Sequence, residues 1–488
     1  MERKRRVLSD VGGLKDSPIK FGTDGWRAII ADEFTFANVR YCAQGTADYI
    51  KDAGLASRGM VVGYDTRFQS DAFAAAVAEV FAANEIKVRL ASAPAPTPVI
   101  GYEIVRDEAA GSVVITSSHN PAEYSGFKVR TEYGGAAPPE VLSQIEARIG
   151  ESYGTDVPRL PLDDAISSGL VEKFDPRPAY LEHLGRLLDL EAIRDAGLNV
   201  VVDPMHGAGA GYLSELVGGG KTRVREIRSE HNPAFPGMHN PEPIPRNLEI
   251  TSAAVKDYGA QVALATDGDA DRIGVLDANG DFVNQLQTFA LLTYYLLEVR
   301  RDRGPLVKSI TTTSMIDRLG ELYDVPVHET SVGFKFLGPK MRETDALIAG
   351  EESGGFAYRG HLPERDGVLS GLYILDLMAR KGKNLTLIID ELFGKVGAHY
   401  YDRDDITMTP ADRDRVAQLL PTLEPKELAG LPVSGYDRAD GLRFVLPDGA
   451  WALIRLSGTE PLMRIYTEVR EDALVRPVLD AVRGLTGA

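Results

Sequence analysis

Asp267-Gly-Asp269-Ala-Asp271-Arg272 places three carboxylates at every second position, directly after the apolar run Val262-Ala-Leu-Ala265. In an extended segment that spacing predicts one shared face, whereas a helix would splay the three apart. Like charges crowded together are costly unless a cation sits between them. The ligands offered are all oxygen, with no His or Cys in the run, so the cation is expected to be hard. Mg²⁺ fits best, because it accepts a few carboxylates and fills the rest of its sphere with water or phosphate oxygen. A site of that kind points to phosphoryl transfer. The same run also reads as an acidic, solvated turn. A calcium loop does not fit: Arg272 stands at the sixth position, where Gly is needed, and Ala278 at the twelfth, where Glu is needed.

Other runs carry chemistry of their own. Thr116-Ser-Ser118-His119-Asn-Pro121 closes the apolar strand Ser112 to Ile115. It reads either as a tight turn presenting a nucleophilic serine beside a histidine, or as a turn whose hydroxyls cap a helix. Lys128, a little further on, either neutralises or moves charge near a phosphate or is an ordinary exposed lysine. Arg455-Leu-Ser457-Gly458-Thr459-Glu-Pro461, with Arg464 beyond, reads as an anion cradle or as a plain β-turn with surface arginines. It lacks the Gly-Lys-Ser/Thr ending of a Walker loop. Gly350-Glu351-Glu352-Ser353-Gly-Gly355 offers carboxylates and a hydroxyl suited to sugar hydroxyls, or a polar turn. Phe21-Gly-Thr-Asp-Gly-Trp-Arg27 and Ser331-Val-Gly-Phe-Lys335 are two further Gly-containing turns with basic tips. His328 reads as structural, and Asp402-Arg-Asp-Asp405 as a solvated charged surface.

Elements must carry these runs. Met60–Gly63, Ser112–Ile115, Asn199–Val202, Val262–Ala265 and Ala346–Ala349 read as buried strands, and Asp71–Ala83, Pro178–Leu190 and Leu286–Arg300 as helices. The alternation predicts an α/β architecture with parallel or mixed sheets. Val61 to Asp65, Val200 to Asp203 and Val262 to Asp267 form a weak echo, each an apolar strand ending in an aspartate, where ligands of parallel sheets bind. Boundaries are expected near Glu172–Pro176, Asp277–Phe282 and Gly394–Tyr400, giving domains 1–173, 174–279, 280–396 and 397–488. Trp451–Arg455 and Met463–Tyr466, as shorter strands, predict a small α+β unit at the end.

The chain has 488 residues and a net charge of −17, which argues against nucleic acid and anionic membrane surfaces as partners. An anionic substrate therefore needs a local basic pocket. The lone Cys42 forms no internal disulfide, in keeping with a cytoplasmic location. The basic start, Met1-Glu-Arg-Lys-Arg-Arg, has no apolar stretch after it and does not read as a signal peptide, and no run is long enough to span a bilayer.

Taken in order, five runs resemble the α-D-phosphohexomutase family, of phosphoglucomutase/phosphomannomutase type: Phe21 to Arg27, Thr116 to Pro121, Asp267 to Arg272, Gly350 to Gly354 and Arg455 to Pro461. The resemblance implies four domains around a central cleft, three similar mixed α/β domains and a smaller α+β one. It implies that Ser118 is the phosphoserine. Ser117 stands where Ala is usual and Ser125 where Asn is common. Asp267, Asp269, Asp271 and the Ser118 phosphate would hold Mg²⁺. Arg272, Lys128, His119 and Arg27 would serve the reacting phosphate, with Lys128 as the candidate general base. Lys335, Glu351 and Ser353 would read the sugar, and Arg455, Ser457, Gly458, Thr459 and Arg464 would grip the other phosphate. The implied reaction interconverts hexose 1-phosphate and hexose 6-phosphate through a hexose 1,6-bisphosphate, which also acts as activator. Glucose is favoured and mannose is a second substrate, in a monomer or homodimer. Rival readings are a phosphoglucosamine mutase or a glucose 1,6-bisphosphate synthase on the same scaffold. A Mg²⁺-dependent phosphatase with an Asp nucleophile and a non-catalytic sugar-phosphate binding protein are others.

Overall fold

The computed structural model of the chain describes residues 17–22, 24–457 and 462–487. Its first sheet contains β1 (Trp26–Ile29), β2 (Met60–Tyr64), β3 (Val88–Ala91), β4 (Gly111–Ile115), β5 (Tyr124–Thr131) and β6 (Val171–Phe174), in the order β1-β5-β4-β2-β3-β6. The second contains β7 (Asn199–Asp203), β8 (Arg223–Glu226), β9 (Val262–Thr266), β10 (Ile273–Leu276) and β11 (Phe282–Val283), in the order β11-β10-β9-β7-β8. The third contains β12 (Leu306–Ser309), β13 (Val327–Thr330), β14 (Ile348–Gly350) and β15 (Phe356–Tyr358), in the order β13-β12-β14-β15. β2, β4, β9 and β14 are buried along their whole length, as expected of strands covered by helices on both faces.

One four-strand pattern recurs in all three sheets. β2, β7 and β12 each pair in parallel with two neighbours, β3 and β4, β8 and β9, β13 and β14. The chain then turns back from β4, β9 and β14 into the antiparallel strands β5, β10 and β15. The sequence echo mixed two strands of this repeat: Asp65 and Asp203 follow the first strand of the unit, and Asp267 follows the third.

Two expected helices differ in detail. Pro178–Leu190 is two helices, Arg177–Leu187 and Leu190–Asp195, because Leu188 is extended and Asp189 caps the second by accepting from the Ala192 amide at 3.2 Å. Leu286–Arg300 runs as an α-helix over Gln285–Tyr294 and widens into a π-turn over Tyr295–Val299.

The C-terminal unit is an antiparallel sheet. Its strands are β16 (Tyr400–Thr407), the short ribbon β17 (Glu427–Leu428) and β18 (Leu431–Pro432), β19 (Gly435–Asp437), β20 (Leu442–Val445), β21 (Trp451–Leu456) and β22 (Leu462–Val469). β16-β22-β21-β20-β19 is the order of the main sheet. It has its own apolar core, built on Phe444, Ile454, Ile465 and Leu479. One apolar seam joins it to the third unit: Trp451, Leu453 and Tyr466 pack with Leu286 and Ile310. Fully burying side chains of this size stabilises by about 1.5–3 kcal/mol each. Among the described residues, no helix is long and apolar enough to cross a membrane.

Candidate active site

The loops that return each repeat carry the candidate chemistry: Thr116–Glu123 between β4 and β5, Asp267–Arg272 between β9 and β10, and Glu351–Gly355 between β14 and β15. The Asp267 run is not extended, contrary to the spacing argument. It is a tight turn, in which the Ala270 amide donates to the Asp267 carbonyl at 3.0 Å and Ala270 takes a left-handed φ of 54°. The turn, rather than a strand face, gathers the three carboxylates. All three are buried, and one oxygen from each lies within 4.8 Å of the others.

Cations drawn from elsewhere offset this charge. Lys128 Nζ, on β5, lies 2.8 Å from Asp24, 2.8 Å from Asp269 and 3.2 Å from Asp271. Arg365 Nη2 lies 2.8 Å from both Asp24 and Asp271. The Thr97 hydroxyl donates to Asp269 at 2.5 Å. Burial pushes the Asp269 carboxyl up, but Lys128, Thr97 and Arg365 outweigh it and hold the group below its ordinary value. Asp267 behaves oppositely: burial and repulsion from Asp271 and Asp269 raise it well above the ordinary value. One oxygen each of Asp269 and Asp271 is buried with no hydrogen-bond partner. Buried orphan carboxylate oxygens beside a carboxylate that resists ionisation are the donor set that a hard divalent cation satisfies.

Burial would also lower Lys128, yet Asp24, Asp269 and Asp271 together raise it. These carboxylates favour the ammonium form of Lys128.

Ser118 sits at the tip of the β4–β5 loop with a left-handed φ of 52°. That conformation costs a non-glycine residue about 1–3 kcal/mol. Arg67 offsets it. Its buried guanidinium donates to the carbonyls of Ser118 (2.7 Å), Asn120 (2.6 Å), Pro121 (2.8 Å) and Tyr124 (2.9 Å). Hydrogen bonds from a charged group are worth about 1.5–3 kcal/mol each, so four of them outweigh the strain. Asp65, at 3.2 Å, balances Arg67 and also accepts from Thr116 Oγ1 at 2.6 Å. Thr116 Oγ1 in turn accepts from the Ser118 amide at 2.9 Å.

So held, the Ser118 hydroxyl donates to Asp267 Oδ2 at 2.7 Å and lies 3.3 Å from His119 Nδ1. Ser117 and Ser125 are buried, and their hydroxyls have no hydrogen-bond partner. Burial, aided by Arg272, Arg27, Lys128 and Arg464, pushes His119 well below its ordinary value, so the imidazole is neutral. Arg27 donates to Asn120 Oδ1 at 2.7 Å. Arg272 donates its amide to Asp267 at 3.1 Å, and its guanidinium lies 3.4 Å from Glu242 and 3.8 Å from Asp271.

Two glycines permit these approaches. A Cβ on Gly268 would lie 2.4 Å from the Ser118 carbonyl oxygen, so only glycine lets the serine loop rest on the aspartate turn. Gly25, at φ 88°, lies where a Cβ would meet the Phe127 carbonyl at 2.6 Å, and it brings Asp24 against Lys128.

The remaining candidates lie along the third and fourth units. Glu351 is buried and accepts from Ser353 Oγ at 2.7 Å. Lys335 opens the helix Phe334–Thr344, half-buried, with its ammonium 5.4 Å over the Phe336 ring. Arg455 and Arg464 stand directly opposite each other on β21 and β22. Arg455 donates to Asp440 at 2.9 Å, and Arg464 lies 3.4 Å from Asp405. Like charges paired across strands are unfavourable unless an anion joins them. Ser457 follows β21, its carbonyl accepting from Arg413 at 3.2 Å. Gly458 and Thr459 lie outside the described residues. His328 is on β13, opposite Val307.

Sequence reasoning missed Asp24, Arg67, Thr97 and Arg365. Asp24 lay inside a run already singled out, and Asp65 inside the strand echo, but their partners are remote in the chain. Arg365 lies in Glu364-Arg-Asp-Gly, a run that carries no pattern of its own. The reading of Asp402–Asp405 as a solvated surface holds for the exposed Asp402 and Asp405 and not for Arg403. Arg403 donates to both oxygens of the buried Glu352, at 2.7 and 2.9 Å, and Asp405 pairs with Arg464.

Comparison with known proteins completes the description. Four family models match in succession. Those of the phosphoglucomutase/phosphomannomutase alpha/beta/alpha domains I, II and III match residues 18–154, 178–280 and 284–396. The C-terminal domain model matches residues 410–485. A Thermococcus kodakarensis phosphoglucomutase/phosphomannomutase is 32% identical over 462 residues, covering 94% of this chain and 96% of the relative. A Methanothermobacter thermautotrophicus protein, provisionally named phosphoglucosamine mutase, is 30% identical, covering 96% and 97%. The crystal structure of a Thermus thermophilus chain, provisionally named phosphomannomutase, is 38% identical, with a TM-score of 0.84, covering 97% of this chain and 100% of that one.

Proposed function

The chain belongs to the phosphoglucomutase/phosphomannomutase family and is a phosphohexomutase; on that premise we propose that it interconverts hexose 1-phosphate and hexose 6-phosphate through phospho-Ser118, with glucose preferred and mannose accepted. The observation that carries the reading is the Ser118 hydroxyl, 2.7 Å from Asp267 within a buried carboxylate trio. Asp267, Asp269 and Asp271 would hold Mg²⁺, which when bound neutralises charge on the transferring phosphoryl group.

The chain's own residues do the rest. In the first half-reaction the bond from phosphorus to Ser118 Oγ breaks and one to the free sugar hydroxyl forms, giving the 1,6-bisphosphate. The intermediate turns end for end, and its other phosphate returns to Ser118. Lys128 and Arg272 lie where negative charge collects and stabilise it as cations. The sugar hydroxyl loses a proton as it bonds to phosphorus and Ser118 Oγ gains one as its own bond breaks; His119, neutral and 3.3 Å from Ser118 Oγ, takes the first and supplies the second, and the return half-reaction runs the exchange backwards. Glu351, Ser353 and Lys335 are assigned to the sugar. Arg455 and Arg464 hold the phosphate that is not reacting.

The test is a coupled assay with glucose 1-phosphate, Mg²⁺ and a trace of glucose 1,6-bisphosphate, following glucose 6-phosphate. The expected kcat/KM for glucose 1-phosphate exceeds that for glucosamine 1-phosphate by about tenfold or more, with mannose 1-phosphate between them. The relatives named for glucosamine phosphate favour a second reading, phosphoglucosamine mutase, and the reverse ranking would establish it instead. Gly268→Ala should lower kcat by about 10²-fold in the same assay, because a side chain there forces the serine loop off the aspartate turn. An unchanged kcat would show that the contact between these loops does not govern transfer.

A further inference from the structure

Glu351 and Glu352 are adjacent carboxylates held by different units of the fold. Glu351 lies 3.4 Å from Arg365 Nη1, and Arg365 Nη2 is the group shared by Asp24 and Asp271 at 2.8 Å. Glu352 is gripped by the C-terminal unit: Tyr401 Oη donates at 2.8 Å, and Arg403 Nη1 donates to both of its oxygens at 2.7 and 2.9 Å. Arg403 Nη2 continues to Asp405 at 3.2 Å, and Asp405 to Arg464 at 3.4 Å. The sign of charge alternates along each half, from the aspartate turn to Glu351 and from Glu352 to Arg464, and the halves meet at the like-charged pair Glu351 and Glu352. The two halves meet in one tight turn, closed by the Gly354 amide donating to the Glu351 carbonyl and the Glu351 amide to the Gly355 carbonyl, both at 3.2 Å.

We propose that Glu352 is a positioning residue that couples phosphate capture at Arg455 and Arg464 to the placement of Glu351 and the carboxylate trio. A phosphate arriving at Arg464 competes with Asp405 for the guanidinium. Asp405, once released, draws more strongly on Arg403. Arg403 is fixed to Glu352, so the shift reaches the Glu351 turn through one buried carboxylate. The inference takes Arg455 and Arg464 as phosphate ligands from the reading proposed above. Other contacts hold the C-terminal unit in place without Glu352. Arg443 grips Glu329 through two bonds of 2.7 Å, and Glu468 accepts from the Ser314 amide and hydroxyl at 2.8 and 2.7 Å. Neutralising Glu352 therefore removes the link and leaves the docking.

The direct test is backbone hydrogen exchange with inorganic phosphate as the probe, in EDTA so that the carboxylate turn repels the anion. At phosphate about ten times its Kd, the wild-type protein should show about tenfold slower exchange both at residues 462–464 and at residues 350–355. Glu352→Gln should keep the first protection and lose the second. Protection of both segments in Glu352→Gln, or none at 350–355 in the wild type, overturns the proposal. Kinetics give a second reading: Glu352→Gln should raise KM for the hexose phosphate about tenfold with kcat within about threefold. The Glu352→Gln/Arg403→Gln double variant should be no worse than the worse single one, whereas additive losses would overturn the coupling. Tyr401→Phe removes one hydroxyl only and should raise KM about threefold, which keeps the idea testable if Glu352→Gln folds poorly. A wild-type protein that binds phosphate but turns over no hexose phosphate would fail the mutase reading, and the exchange result would still decide the coupling.

Discussion

Ser118→Ala should cost about 10⁴-fold or more in the interconversion of glucose 1-phosphate and glucose 6-phosphate, because it removes the group that carries the phosphoryl between half-reactions. The variant should fold. The loop is held through backbone carbonyls by Arg67, and none of those four bonds involves the serine side chain. Incubation with glucose 1,6-bisphosphate labelled in phosphorus should leave label on the wild-type protein and none on Ser118→Ala. Ser117→Ala is the matched control. Its hydroxyl is buried and has no hydrogen-bond partner, so activity should stay within about threefold of wild type. Full activity in Ser118→Ala would sink the phosphoserine pathway and return weight to an aspartate nucleophile in the Asp267 turn.

Removing Mg²⁺ with EDTA should lower turnover by at least about 10³-fold, and the same step should expose a dependence of stability on pH. Asp267 is raised well above the ordinary 3.8 by burial and by its two neighbours. A group whose folded value is raised keeps its proton in the native state while the unfolded chain gives it up. Its contribution to stability is present below 3.8 and is lost as pH climbs through the raised folded value. Asp269 and Asp24 are lowered, so they contribute stability above the ordinary carboxylate value and lose it only in acid. Between pH 5 and 8 the lowered His119, His183 and His399 also change stability, so it is the increment with Mg²⁺ that reports on Asp267. Mg²⁺ needs the ionised carboxylate, so its binding releases a proton and tightens as pH rises. At 100 times its Kd, Mg²⁺ should stabilise the fold by about 2.7 kcal/mol. Urea unfolding with EDTA and with Mg²⁺, at pH 5 and pH 8, measures this. The increment at a fixed Mg²⁺ concentration should be larger at pH 8, and an equal or larger increment at pH 5 would contradict the assignment of Asp267 as a ligand.

Much of this site was legible because its parts are local. Val262–Ala265 is apolar and forms the buried strand expected of it, and the aspartates beyond it could be read for oxygen ligation. Backbone shape was not legible. Ala270 takes the left-handed conformation without the glycine or asparagine that usually announces it, so the extended and the turn readings of the run stood side by side. Charge partners were not legible either. Lys128 looked like a surface lysine or a base because Asp24, Asp269 and Asp271 come to it from distant parts of the chain. Asp402–Asp405 looked solvated because alternating charge on a strand gives no sign of which face another unit will cover, and here Glu352 covers Arg403. Composition records how much charge a chain carries, and only tertiary contact decides which charges meet.

The return from a parallel strand into an antiparallel one occurs three times, and on the reading proposed above each return bears a different duty. Such a return is a local chain reversal within a sheet whose parallel strands are joined by longer crossovers, so it closes at small entropic cost. Each loop can therefore be rewritten without disturbing the crossovers that build its unit. Exchange of the Glu351–Gly355 reversal would alter sugar choice while the serine and aspartate reversals stay as they are. On the reading proposed above, selectivity is thereby a separable trait, open to inheritance or redesign one reversal at a time.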